Sequence, residues 1–107
     1  MNYLNNKTPY VYLFVREDLT QSQQIIQTCH AVDELNKKFP HKTHNHMVLC
    51  GAKTEFSLCM ISLWLTKNNI THEIFFEPDI NSYTAIATQP LVGKQRQVLK
   101  DFKTLRK

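Results

Sequence analysis

Glycine is almost absent from this chain of 107 residues, with Gly51 and Gly93 the only two. Neither lies in a G-x-G-x-x-G or Walker pattern, so the sequence encodes no phosphate-cradling loop and no nucleotide cofactor is expected. Cysteine is scarce as well. Cys29, Cys50 and Cys59 are odd in number, lie in apolar segments and form no C-x-x-C pair, which predicts buried reduced thiols and a cytoplasmic compartment rather than a disulfide framework. A run of 18 or more apolar residues is missing, and Met1 to Pro9 carries no apolar signal core, so a soluble chain without a membrane partner is expected. Net positive charge is missing everywhere but the end. Residues 94 to 107 hold Lys94, Arg96, Lys100, Lys103, Arg106 and Lys107 against Asp101, a local +5 that leaves −1 of the total +4 for residues 1 to 93. Such a cluster draws in phosphates by counterion release, and it equally describes a solvated terminal helix.

A hydrophobic content of 42% over this length suffices for one core, and residues 1 to 107 read as a single domain. Tyr10 to Val15 is apolar and β-branched, as in a strand buried on both faces. Thr20 followed by Gln23 has the form of a capping box, which starts a helix near Gln21. Ile25, Cys29, Val32, Leu35 and Phe39 recur at helical spacing and predict the stripe that faces the core. Gln23, Gln27 and His30 form a polar row beside it. Pro40 to His46 breaks the pattern as a loop. Met47 to Ala52 reads as a second strand, and Thr54 caps a helix from Glu55 to Lys67 that is apolar almost all round. That composition implies either deep burial or a subunit contact. Ile70 to Glu77 and Tyr83 to Thr88 follow as strands stopped by Pro78 and Pro90, and a last helix is expected from Lys94 to Asp101. The order is strand, helix, strand, helix, strand, strand, helix. It predicts an α/β three-layer sandwich in which a small mixed four-stranded β-sheet is flanked by helices.

Arg16-x-Asp18-Leu19 followed by Gln27-x-x-His30-Ala31 resembles the opening motif of the type II peptidyl-tRNA hydrolases, where a strand ending in R-x-D-L leads to a helix reading A-A-Q-x-x-H-A. The order of the later elements is also similar, ending in a T-x-x-x-x-x-P strand matched by Thr84 to Pro90. The resemblance implies hydrolysis of the ester between a peptidyl or aminoacyl group and tRNA, with no metal or organic cofactor, and together with the apolar second helix it implies a homodimer. Asp79 matches the family's acidic residue and Thr84 its strand-opening threonine. Gln23 stands where the family has a lysine, so a charge-assisted hydrogen bond is replaced by a neutral one. The loop between Asp79 and Thr84 is shorter than the family's.

Candidate chemistry thus gathers at two places. The link Glu77 to Thr84 offers carboxylates able to activate water, with Asp79 first and Glu77 as the other candidate. Facing it, Gln23 and His30 join Asp79 and Thr84 in the expected reaction site, while Gln27, Arg16, Asp18, Lys94 and Arg96 are expected to contact substrate. The alternative is a catalytically silent member of the fold that binds RNA or protein, which the loss of the lysine favours; an esterase acting on a small substrate is a third. His41, His44 and His46 form no recognised metal-ligand spacing, so no metal is expected. Tyr10, Tyr12, Phe14, Phe75 and Phe76 lie in apolar runs and read as core rather than as base-stacking platforms.

Overall fold

The computed structural model describes residues 8–40 and 46–105, so His41 and His44 lie outside the described residues. Its elements are β1 (Tyr10–Arg16), α1 (Gln21–Lys38), β2 (His46–Ala52), α2 (Glu55–Lys67), β3 (His72–Glu77), β4 (Ser82–Thr88) and the short α3 (Lys94–Gln97), with a 3-10 turn at Pro78–Ile80. The sheet order is β2-β1-β4-β3. β1 pairs parallel with β2 and antiparallel with β4, which in turn pairs antiparallel with β3. Strands β1, β2 and β3 therefore run the same way, and β4 is inserted between them in the opposite sense. The carboxyl ends of three strands and the β3–β4 hairpin converge at one end of the sheet. That end is where ligands bind in open α/β sheets.

One layer of core lies under α1, where Val11, Leu13, Val15, Ala85 and Ala87 of the sheet meet Ala31 and Leu35. The other lies under α2, where Tyr12, Phe14, Cys50 and Ile86 meet Leu58, Ile61 and Leu65. Alternation along β1 accounts for the split, since successive side chains point to opposite faces. The result is the expected α/β architecture: one small mixed sheet between helices, closed in a single domain.

Two elements differ from expectation. Helix α1 turns only the later part of the Ile25, Cys29, Val32, Leu35, Phe39 stripe inward: Leu35 is buried and Val32 and Phe39 pack against the core, but Ile25 is 61% exposed and Cys29 is exposed, while Gln24, Gln27 and Ala31 are buried. The inward face of its first turns is thus Gln24, Gln27 and Ala31 rather than Ile25 and Cys29. Ala31 permits close approach to the sheet, and the two inward amides are satisfied: Gln24 Nε2 donates to Leu19 O at 2.9 Å, and Gln27 is bonded on both its oxygen and its nitrogen. A buried amide with its hydrogen bonds made costs little, so packing rather than polarity sets the face. The last helix is also shorter than the expected Lys94 to Asp101. After Gln97 the chain proceeds through turns that bury Leu99 and place Phe102 edge-on to Phe14 at 5.3 Å. It then reaches the free side of β2, where Leu105 N donates to Leu49 O at 2.8 Å and Thr104 bridges Cys50.

Candidate functional site

The polar row of α1 meets β3 and β4 at the convergent end of the sheet. Thr20 caps α1, its Oγ1 accepting from Gln23 N at 3.2 Å, which fixes where Gln23, Gln27 and His30 emerge. Strand β3 alternates Glu73, Phe75 and Glu77 onto the α1 side. Lys38 Nζ pairs with Glu73 at 2.7 Å, the His30 ring stacks on Phe75 with centroids 4.6 Å apart, and Gln27 Nε2 donates to Glu77 Oε1 at 2.9 Å.

Thr84 reaches this cluster because of a β-bulge. Phe75 pairs with Ala85 and Phe76 with Tyr83, so Thr84 is the extra residue on β4. A bulge turns two successive side chains to one face, a common device for re-aiming a residue beside a site. Thr84, fully buried, donates from Oγ1 to Gln27 Oε1 at 2.7 Å. That bond sets the orientation of the Gln27 amide, whose Nε2 then donates both to Gln23 Oε1 at 3.0 Å and to Glu77. The hydrogen-bond relay is thus directed: hydroxyl to amide oxygen, amide nitrogen to carboxylate.

Glu77 is the acidic centre of the cluster. Its Oε1 lies 3.9 Å from His30 Nε2, and its Oε2 accepts from the backbone N–H of Asp79 at 3.4 Å. The Gln27 amide first, then the Asp79 N–H and His30, hold the Glu77 carboxyl below the ordinary carboxylate range, with desolvation opposing them. Asp79 itself sits exposed in the 3-10 turn and contributes its backbone to Glu77. Asn81, in the left-handed region at φ 51°, closes that turn into β4.

Arg16 and Asp18 lie at the same end of the sheet, on the opposite face. Arg16 grips Asp18 with two bonds, Nε to Oδ1 at 2.9 Å and Nη2 to Oδ2 at 3.0 Å, while Nη1 donates to Ser82 Oγ at 3.0 Å. The Asp18 bond raises the Arg16 pKa and lowers that of Asp18. This clamp ties the exit of β1 to the entry of β4, and Glu55 adds a bond to Tyr83 N at 2.8 Å.

The expected substrate contacts Lys94 and Arg96 are not part of this end. They follow Leu91, which pairs with Tyr10 at the start of β1, a strand length of roughly 20 Å away. Arg96 is buried, with its guanidinium 3.9 Å from the Tyr10 ring centroid and Nε donating to Tyr12 Oη at 3.0 Å. It is a core cation held by aromatic faces. Besides Arg16, the convergent end carries Lys53, just past β2, and Lys103, which the pairing of Thr104 with Cys50 sets beside Gly51; both lysines border a depression with Glu17. The β-pairing that places Lys103 spans more than fifty residues and has no local signature. Glu77 did have one: period-two alternation puts it on the face of Glu73 and Phe75.

No family model matches the sequence, and no curated protein matches it. The fold is shared with a solved structure, a protein of unknown function, Atu0240, from Agrobacterium tumefaciens strain C58. The two superpose with a TM-score of 0.68 at 13% identity, over 92% of this chain and 98% of that one. At that identity the likeness concerns the fold alone. Among the described residues no group of three or more histidine, cysteine or acidic side chains is placed to hold a metal ion, and no helix is long and apolar enough to cross a membrane.

Proposed function

We propose that the Gln23, Gln27, His30, Glu77, Thr84 cluster hydrolyses an acyl ester, with peptidyl- or aminoacyl-tRNA as the substrate class. The observation that carries this reading is the His30–Glu77 pair, in which an oriented carboxylate faces one nitrogen of a half-exposed imidazole. A His–carboxylate pair of this kind is a general-base unit, and its hydrogen bond commonly tightens only when substrate is bound. With Nε2 turned to Glu77, Nδ1 takes a proton from water as the water oxygen attacks the ester carbonyl carbon. The tetrahedral intermediate collapses with cleavage of the bond to the ribose oxygen, which receives the proton back from His30. Glu77 rather than Asp79 is then the carboxylate of the site, and it acts through His30 rather than on the water itself. Thr84 and Gln27 position Glu77 rather than touch the ester.

The tRNA half of the reading rests on the resemblance of Arg16 to Ala31 to type II peptidyl-tRNA hydrolases and on Lys53 and Lys103. These two cations lie across the sheet from Glu77, three strand spacings or roughly 14 Å, a span that suits phosphates flanking a bound acceptor end. The chain would then act in the cytoplasm. The second reading, a silent binding member of the fold, is favoured by Gln23 at the family's lysine position. The homodimer rests on α2, whose Phe56, Met60, Leu63 and Trp64 form an exposed apolar stripe, Phe56 at 75% and Leu63 at 63%. Such stripes mark contact surfaces.

Incubation of the purified protein with labelled peptidyl-tRNA tests the proposal. Release of the peptide that His30→Ala abolishes supports it. A salt-dependent shift of tRNA without release establishes the silent reading, and absence of both removes tRNA as partner. Sedimentation of wild type against Leu63→Glu reads the dimer.

A further inference from the structure

A second constellation of reactive groups lies on the other face of the sheet. Ser62 is on the side of α2 that faces the start of β3, and its Oγ is 2.7 Å from His72 Nε2. The other ring nitrogen, Nδ1, lies 3.0 Å from the carbonyl oxygen of Ile70. A carbonyl oxygen only accepts, so Nδ1 carries the proton and Nε2 presents its lone pair to the Ser62 hydroxyl. Helical serines ordinarily bond back to the carbonyl four residues earlier; here the hydroxyl is directed at a base whose tautomer is fixed from behind. We propose that Ser62 and His72 form a nucleophile–base pair that cleaves small carboxylic esters through an acyl-Ser62 intermediate.

The surroundings hold the pair in place, and Ser62 and His72 are both partly exposed. Asn69, left-handed at φ 59°, turns the chain out of α2 so that Ile70 to His72 run back alongside the helix. Ile70 is buried, and its N–H donates to Leu65 O at 2.9 Å. Thr71 is fixed at both backbone atoms by Gln89, its N–H donating to Gln89 Oε1 and its carbonyl accepting from Gln89 N, each at 2.8 Å. The base therefore sits on a braced strand start, and its orienting carbonyl is two residues away on the same segment. An open depression of about 380 Å³ adjoins it, lined by Thr66, Asn69, Ile70, Thr71 and His72. Its size suits a short acyl chain. Thr66 lies one helical turn beyond Ser62 on the same face, and it and Asn69 bring polar side chains to the lining of the depression.

Ser62 Oγ attacks the carbonyl carbon while its proton passes to His72 Nε2. The carbon–oxygen bond to the alcohol breaks, and the alcohol leaves with that proton. Water then attacks the acyl ester, His72 accepts a proton from it and returns it to Ser62 Oγ, and the carboxylic acid departs. Ester and water become acid and alcohol with no other reactant, the logic of nucleophile, base and orienting group shared by serine hydrolases. Glu77 ends the strand that His72 begins, roughly 17 Å along β3, so the two sites are separate.

The test is covalent labelling of the folded wild-type protein with a fluorophosphonate, which forms a phosphonyl–oxygen bond to an activated serine and expels fluoride. Peptide mass mapping is expected to place the adduct on Ser62, and p-nitrophenyl acetate is expected to be hydrolysed. His72→Ala, its folding checked by circular dichroism, should slow labelling by roughly 100-fold or more. No Ser62 adduct on the folded wild type overturns the proposal. So does an adduct that forms equally fast in His72→Ala, or one found only on another residue.

Discussion

Thr84→Val removes one hydroxyl and keeps the shape of the side chain. In the wild type that hydroxyl is fully buried and donates to Gln27 Oε1 at 2.7 Å, with Phe75 O as a more distant second acceptor at 3.5 Å. The substitution leaves Gln27 Oε1 without its donor, and stranding a buried polar group costs about 1–3 kcal/mol. For a domain of this size that corresponds to a fall in Tm of about 4–8 °C per kcal/mol. A second effect follows from polarity. Thr84 is what turns the Gln27 oxygen inward and its nitrogen toward Glu77. With that lock gone the amide is held only through Nε2, by Gln23 and Glu77, and is freer to swing away from the carboxylate. The pKa of Glu77 should rise toward the ordinary range, because its largest source of depression is the Gln27 bond. Urea denaturation gives the first quantity and a carbon-detected NMR titration of Glu77 the second. If Thr84→Val loses no stability and Glu77 titrates as in wild type, the directed relay is wrong.

Other outcomes follow from the same structure. Since the folded Glu77 pKa is depressed, its contribution to stability is complete above the ordinary carboxylate value and is lost as pH falls through the folded value. Glu77→Gln should accordingly flatten the acid limb of a stability–pH curve below about pH 4.5. Arg96→Ala should destabilise by about 1–2 kcal/mol through loss of the guanidinium over Tyr10, measured by urea denaturation, while leaving ester release unchanged. Burial pushes the Cys50 thiol up to about 11, whereas Cys29 is exposed, so a thiol reagent at pH 8 should modify Cys29 in the native protein and Cys50 only on unfolding.

Local signals carried much of this molecule. The caps at Thr20 and Thr54, the apolar strand at Tyr10, and the polar row of Gln23, Gln27 and His30 are readable because each depends on neighbours within one or two helical turns. The facing of α1 is not. The apolar positions of that helix favour Ile25 and Cys29, yet the sheet accepts Ala31, and Thr84 and Glu77 supply partners that make Gln27 the better residue to bury. Those partners are fifty or more residues away. The inward aim of Thr84 has the same character, since it turns on a bulge that appears only when β3 and β4 pair. Arg96 illustrates the reverse error: a cation in a basic terminal run is ordinarily solvated, but here Tyr10 and Tyr12 cover it.

Deacylation of labelled peptidyl-tRNA by Glu77→Gln and Asp79→Asn, compared side by side with wild type, tests the central claim most directly. Glu77, bonded to Gln27 and facing His30, is predicted to be indispensable, with a fall in rate of roughly 100-fold or more, and Asp79→Asn to retain most of the wild-type rate. A protein that tolerates Glu77→Gln while Asp79→Asn abolishes release would contradict the account.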